Sequence, residues 1–215
     1  QHGASLFMTL LATVNVLLYR YTGQQDMVIG SPVAGRDHKD LEEQIGFYVN
    51  MLALRNQVAG SESFERLLGR IRNNTLHAYE HQAYPFDWLV NELPIVRDMS
   101  RSPLFDVVVI LQNMEQAPDT SDMKGLRIEG YDNGMPKVST FDLMFNFSEA
   151  GDDIIVSIEY NTALFDTDRI NRMAVHYGNL LKAIVKDSRT AVDELEYIDD
   201  TEKTQLVDVF NDTAT

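Results

Sequence analysis

The sequence predicts an α+β fold, with helices near both ends of the chain and strands between them. Apolar residues recur at helical spacing near both ends of the chain, over residues 5–21 and 166–184. Between them lie apolar runs of strand length, which glycine and proline interrupt. Two of these runs, residues 141–147 and 154–160, alternate in polarity across a turn at Gly151, as antiparallel strands do.

The composition restricts the class of protein. The 215 residues (24.4 kDa) suffice for one large domain, or for one lobe with a tail. A formal net charge of −15 argues against nucleic acid as a partner. The chain has no cysteine, which excludes disulfides and thiolate sites and fits a reducing compartment. We therefore expect a cytoplasmic protein.

The first predicted helix spans residues 5–21 and stops at Gly23. Its segment from Leu6 to Leu18 is apolar and uncharged, so a membrane span and a signal peptide are the alternatives. The segment is shorter than the roughly 20 residues that a bilayer requires, and no basic region or cleavage site brackets it. The pattern favours a buried helix and no membrane partner.

Strands and helices follow along the chain. Residues 26–30 predict a short strand that runs into a loop ending at Arg36. Residues 47–58 carry apolar side chains at both odd and even positions, which is typical of a strand buried on both faces. Ser63 is placed to cap a helix that reaches about Glu80.

The second half of the chain contains a central strand and a long polar excursion. Pro85 to Leu93 predicts a short helix, with proline in its tolerated first turn. Leu104 to Leu111 predicts a central strand. Residues 114–139 predict an excursion with some extended structure, and the core pattern ends after Asp187.

Histidine chemistry offers no active site in this chain. Histidine is the usual general base near neutral pH, but the five histidines form no catalytic motif. His77 and His81 have metal-ligand spacing, yet a glutamate base and a third ligand are missing. The sequence also lacks a phosphate-binding loop and a Gly-x-Ser-x-Gly elbow. It therefore predicts no catalytic residue and no metal site.

Three stretches carry specific patterns. Ile45 to Met51 with a trailing Arg55, His81 to Asp87, and Arg97 to Phe105 follow one another in the chain. They are similar to the family segments Ile-Gly-x-Phe-Val-Asn-Thr, His-Gln-x-Tyr-Pro-Phe-Glu and Arg-Asp-x-Ser-Arg-Asn-Pro-Leu-Phe of condensation domains from non-ribosomal peptide synthetases. The resemblance extends over about residues 5–187.

This chain departs from the family segments at four positions. Tyr48 replaces phenylalanine, Met51 replaces threonine, Asp87 replaces glutamate and Ser102 replaces asparagine. The replacements at Tyr48 and Asp87 keep an aromatic ring and a carboxylate.

Most motif positions are interpreted as structural. The expected structural residues are Gly46, Arg55, His81, Tyr84, Pro85, Phe86, Arg97, Asp98, Arg101, Pro103 and Phe105. The turn around Pro85 sets a helix start and buries two aromatic rings. The charges of Arg97, Asp98 and Arg101 predict a network that holds the loop before the central strand. Asn50 either braces the sheet or faces a channel, and these alternatives stay open.

The resemblance implies one lobe of a two-lobed, chloramphenicol-acetyltransferase-like domain, an α/β two-layer sandwich in which helices pack on a mixed sheet. In this family two carrier proteins deliver thioesters on phosphopantetheine arms into a tunnel between the lobes, and acyl transfer to an amine follows. The family's His-His-x-x-x-Asp-Gly motif belongs to the N-terminal lobe, and this sequence has no adjacent histidines. Residues 1–187 are thus expected to be the C-terminal lobe, inactive alone and completed by residues upstream of Gln1.

The resemblance also implies where a linker, the tunnel residues and a latch lie in this chain. Residues 188–215 are expected to be a linker toward an adenylation domain. No cofactor is expected to bind directly, because the substrates arrive on the carriers. The tunnel residues are expected to be Asn50, Asn113 and Ser139, with a floor from the loop at residues 30–36 and a protruding latch within 114–139. A non-catalytic carrier-docking module, and an epimerisation or heterocyclisation relative, are the alternatives.

Overall fold

A computed structural model describes residues 3–36, 38–95, 98, 101–112 and 138–212, apart from the side chain of residue 42. The strands are β1 Asp26–Val33, β2 Asn50–Gln57, β3 Val107–Gln112, β4 Leu143–Ala150 and β5 Asp153–Tyr160. The helices are α1 Leu6–Thr22, α2 Lys39–Glu42, α3 Phe64–Glu80, α4 Phe86–Glu92, α5 Thr167–Lys186 and α6 Asp200–Thr204. A 3-10 turn, Val192–Glu194, precedes α6, and a π-helical turn, Gln205–Val209, follows it.

Within the described residues the strands form one mixed sheet in the order β2-β1-β3-β4-β5. The central strand β3 runs parallel to β1 and β4, whereas the outer pairs β1/β2 and β4/β5 are antiparallel. Gly30 of β1 lies opposite Val108 of β3. The predicted α+β fold, the central strand and the antiparallel pair are confirmed.

Helix α1 is buried because its sequence supplies both ends and an apolar surface almost all round. The Ser5 side chain accepts a hydrogen bond from the backbone of Met8, and Gly23 ends the helix at φ 70°. Leu11 and Leu17 are fully buried. The predicted buried helix is confirmed, and none of the described helices has the length and hydropathy to cross a membrane.

The hydrophobic core lies between one face of the sheet and helices α1, α3 and α5. Strand side chains alternate between faces, so Phe145 and Phe147 of β4 face the helices. Both are fully buried, and the Tyr177 ring of α5 packs 5.5 Å from the Phe147 ring. The opposite face of the sheet carries Gly30 and Val108, and it lies on the far side from these helices.

Tertiary pairing corrects the predicted limits of two strands. β1 extends to Val33, which pairs with Asn50, so residues 31–33 belong to the strand and not to the predicted loop. β2 begins only at Asn50 and buries alternate residues, so the prediction of a strand buried on both faces is wrong. Phe47 precedes this strand and is 90% exposed. Its apolar character therefore does not reflect burial within this chain.

The segment after α5 remains attached to the core. Val192 and Leu195 are buried, so the prediction that the core pattern ends after Asp187 is wrong. The Arg20 guanidinium donates to the carbonyl oxygens of Val192 at 3.0 Å and Leu195 at 2.8 Å. A 3-10 turn has neither helical nor strand periodicity, which is why the pattern was not visible in the sequence.

Candidate functional site

Asn50 joins the first motif stretch to the second. Its side-chain nitrogen donates to the carbonyl oxygens of Gln82 and Tyr84, both at 2.8 Å, and its Oδ1 accepts from the backbone of Phe86 at 3.0 Å. Pro85 occupies the N-cap of α4 and provides no side-chain cap. Asn50 thus supplies from β2 the cap that α4 lacks, and it braces the turn before this helix.

An open cavity of about 310 Å³ lies beside this turn. Its walls come from Gly35, residues 48–50, Gln82, Ala83 and Pro85. The cavity therefore lies where the first two motif stretches meet. Its shape depends on the turn that Asn50 braces.

The loop between β1 and β2 is closed on itself. The Arg36 guanidinium stacks 4.5 Å from the Tyr48 ring centre and donates to the carbonyls of Leu41 and Gly46. Gly35 has φ 62°, and a Cβ there would lie 1.9 Å from the Tyr48 carbonyl oxygen. A side chain at Gly35 would therefore open the loop.

This closed loop presents apolar side chains outward. Ile45 and Phe47 are 105% and 90% exposed, and Val49 is half-exposed. The Tyr48 hydroxyl donates to Gln44 at 2.8 Å, so the loop keeps its shape by polar contacts. Large apolar side chains held outward in this way are typical of a surface that another domain or protein covers.

The third motif stretch holds the loop before β3 by charge. Arg101 pairs with the carboxylate of Asp106, and this contact raises the pKa of the Arg101 guanidinium. The backbone of Arg101 donates to the carbonyl oxygen of Asp98 at 3.2 Å. A charge-assisted contact is therefore present at the expected place, with Asp106 as the carboxylate. Arg97 lies outside the described residues, and Pro103 is exposed.

Phe105, the last residue of the third stretch, contacts the second. Its ring lies 5.4 Å from the Phe86 ring and 5.8 Å from the Phe141 ring. The prediction that the turn buries two aromatic rings is wrong for Tyr84, which is 41% exposed. The Tyr84 ring instead meets Trp88 edge-on at 6.3 Å. The three stretches therefore form one continuous set of contacts through Asn50, Phe86 and Phe105.

Arg55 has a structural contact at the other end of β2. Its guanidinium binds the Asp26 carboxylate of β1 through Nε at 2.9 Å and Nη2 at 2.5 Å. Hydrogen bonding to Arg55 lowers the pKa of Asp26. The pair is exposed and joins the two antiparallel strands across the sheet.

The described histidines make structural contacts. His81 follows α3, and its Nδ1 lies 2.9 Å from the His77 carbonyl oxygen. Buried His176 is held between the Tyr21 hydroxyl and the Glu202 carboxylate, each at 2.5 Å from a different ring nitrogen. Within the part of the chain that the structure describes, no three histidine or acidic side chains are grouped to hold a metal ion.

The contact at His176 was missed by sequence reasoning. The only signal in the sequence was the position of His176 beside the buried face of α5. Its partner Glu202 gave no signal, because it lies in the segment that was expected to be a linker. Burial raises the pKa of the neighbouring Tyr21 hydroxyl to about 12. Both imidazole nitrogens are engaged, so His176 is not a free general base.

The remaining predicted tunnel residues are only partly described. Asn113 and residues 114–137, where the latch is expected, lie outside the described residues. The Ser139 hydroxyl donates to the carbonyl oxygen of Phe141 at 2.5 Å. Ser139 therefore lies next to the aromatic contacts of Phe105. The tunnel roles of Asn50, Asn113 and Ser139 stay predictions.

Comparisons with known proteins add family relationships. A family model described as "Condensation domain" matches residues 1–207. The chain is 43% identical over 209 residues to tyrocidine synthase 3 of Brevibacillus parabrevis, covering 97% of this chain and 3% of that protein. It is 40% identical over 213 residues to gramicidin S synthase 2 of Brevibacillus brevis, covering 99% of this chain and 5% of that protein. The chain therefore spans only a small part of these curated relatives.

Solved structures share the fold. The complex of the X-domain and OxyB from teicoplanin biosynthesis matches with a TM-score of 0.80 and 24% identity over 92% of this chain and 44% of that one. The first condensation domain of the CDA synthetase matches with a TM-score of 0.71 and 22% identity, covering 92% of this chain and 43% of that one. At these identities the likeness concerns the fold, and it agrees with the mixed sheet and packed helices described above.

Proposed function

Since the chain belongs to the condensation-domain family of non-ribosomal peptide synthetases, we propose that it forms the C-terminal lobe of such a domain. The completed domain joins two substrates that arrive as thioesters on phosphopantetheine arms of carrier proteins. An amine on the acceptor attacks the donor thioester, an amide forms and the donor carrier thiol leaves.

The outward apolar side chains of the loop between β1 and β2 carry this proposal. Ile45 and Phe47 are almost fully exposed although Arg36 and Tyr48 hold their loop in a closed form. A second lobe that packs on the loop removes this apolar surface from water. The cavity at Asn50 then lies beside the contact between the two lobes.

In this proposal the two lobes have different tasks. Deprotonating or orienting the amine is a task for an imidazole, and His176 and His81 of this chain are engaged in internal contacts. The upstream lobe supplies the histidine motif, and this chain supplies tunnel walls at Asn50, Asn113 and Ser139. The chain alone is therefore inactive and binds no cofactor directly.

The partners and boundaries follow from the same proposal. Donor and acceptor peptidyl carrier proteins reach the domain from its two sides. Residues 1–187 form the lobe, and residues 188–215 connect it to an adenylation domain while Val192 and Leu195 keep the first part of this connection docked. The cytoplasm is the proposed location.

A reconstitution experiment tests the proposal. The chain is produced alone and joined to the residues that precede it in its parent gene, and each form receives aminoacyl-loaded donor and acceptor carriers. Mass spectrometry of the acceptor carrier should detect a dipeptidyl thioester with the joined form only. Product from the chain alone would contradict the assignment of an inactive lobe.

A docking module is the second candidate. The X-domain has the same fold and was solved in complex with OxyB, so the fold by itself is compatible with a binding role. Carrier binding without a dipeptidyl product, in the joined form with its histidine motif intact, would favour docking. An epimerised or heterocyclised product in the same assay would instead identify one of those relatives.

A further inference from the structure

Phe105 is a buried aromatic residue that lies outside the main core. Its exposed fraction is 4%, yet it is not part of the cluster between the sheet and helices α1, α3 and α5. Its ring lies against Gly30 of β1, on the sheet face opposite those helices. Its burial therefore belongs to a smaller, separate contact on that face.

Gly30 is the residue that permits this contact. A Cβ at Gly30 would lie 2.3 Å from Cε2 and 2.5 Å from Cδ2 of the Phe105 ring, closer than side-chain carbons approach one another. The ring thus rests directly on the backbone of β1. This contact fixes the loop before β3 relative to β1.

Phe105 connects the sheet to one wall of the cavity. Its ring contacts Phe86, the first residue of α4, and Pro85 immediately before it lines the cavity. Helix α4 buries none of its own residues. The turn at Pro85 is joined to the sheet through the Asn50 amide and, by way of Phe86, through Phe105.

We propose that Phe105 is a positioning residue for amide-bond formation, because it holds the Pro85 wall of the cavity at a fixed distance from Asn50. This inference rests on the proposed condensation function. Acyl transfer depends on alignment of the amine with the thioester, and displacement by about 1 Å can reduce a rate by up to about a hundredfold. Loosening this wall should therefore lower turnover more than it weakens substrate binding.

Trp88 gives a measurement of this position that does not need catalysis. It is the one tryptophan of the sequence and lies on α4, 62% exposed. Time-resolved fluorescence anisotropy of the 215-residue chain reports how freely α4 moves. We expect Phe105→Leu and Gly30→Ala to increase the fast depolarisation of Trp88. The matched controls, Phe147→Leu in the main core and Gly69→Ala in open space on α3, should not.

Kinetics of the joined domain complete the test. We expect Phe105→Leu and Gly30→Ala to lower kcat roughly tenfold with little change in KM, because the perturbation affects alignment. Phe147→Leu should lower thermal stability but leave kcat near that of the parent. Circular dichroism melts of all variants separate loss of fold from loss of alignment.

The outcomes are distinguishable. Unchanged Trp88 depolarisation in both Phe105→Leu and Gly30→Ala would overturn the proposal, as would changed depolarisation with kcat and KM equal to those of the controls. If the joined parent domain forms no amide, the proposed function fails, and the Trp88 measurement still decides whether Phe105 positions α4.

Discussion

Replacing Asn50 by alanine removes three hydrogen bonds that hold the start of α4. The two donated bonds to Gln82 and Tyr84 are 2.8 Å long, and the accepted bond from Phe86 is 3.0 Å long. Alanine restores none of them. The turn and the first residue of α4 then lose their polar connection to β2.

The expected loss of stability follows from these contacts. A neutral hydrogen bond contributes about 0.5–1.5 kcal/mol, and values near the lower limit apply here because the turn is open to water that can replace Asn50. Loss of a helix cap costs about 1 kcal/mol. The two donated bonds at about 0.5 kcal/mol each and the cap bond from Phe86 at about 1 kcal/mol give about 2 kcal/mol, which corresponds to a fall in Tm of about 4–8 °C for a protein of this length.

The assay is thermal unfolding followed by circular dichroism, with Asn73→Ala as the matched control. Asn73 is exposed on α3, and its side chain accepts a bond from its neighbour Arg72 at 3.3 Å. We expect this control to shift Tm by no more than about 2 °C. Equal Tm values for Asn50→Ala and Asn73→Ala would refute the bracing role of Asn50.

Three further predictions concern the segment after α5 and its supports. A Cβ at Gly60 would lie 1.9 Å from Oδ2 of Asp193 in the 3-10 turn, and the Tyr19 hydroxyl donates to the same carboxylate at 3.0 Å. Gly60→Ala should therefore displace this contact and lose about 1 kcal/mol in urea unfolding, whereas Gly178→Ala in open space should be neutral or stabilising. His176→Phe removes the imidazole contacts to Tyr21 and Glu202, so limited proteolysis within residues 200–212 should accelerate; unchanged cleavage would contradict this docking. Because burial raises the pKa of Tyr21 from 10.0 to about 12, the folded state binds more protons in this interval, and stability should fall as pH rises through it. Tyr21→Phe should reduce this pH dependence of the free energy of unfolding, measured by urea titrations between pH 10.0 and about 12.

The predicted elements with the best agreement are those that sequence specifies locally. Ser5 and Gly23 bound α1 as expected, and Ser63 caps α3 through the backbone of Arg66. The two strands around Gly151 were predicted from their alternation, and Gly151 has the positive φ that a tight turn requires. In each case the signal lies within a few residues of the feature that it predicts.

The candidate site was only partly accessible to sequence reasoning. The three motif stretches were recognised as separate segments, and the sequence contains no indication that Phe105 rests on Gly30 or that Asn50 caps α4. These contacts join residues that are tens of positions apart. The Asn50 amide needs polar partners, and the type of residue does not specify which distant carbonyl provides them.

By itself, the sequence determined the class of fold and the caps and apolar spacing of the long helices. Its three motif stretches also carried the resemblance to condensation domains. These features depend on local backbone preferences and on the spacing of apolar side chains. Only the tertiary structure decided that Phe47 is exposed, that Val192 and Leu195 are buried, and that the motif stretches meet beside one cavity. Burial depends on which distant surface covers a residue, and composition alone does not contain that information.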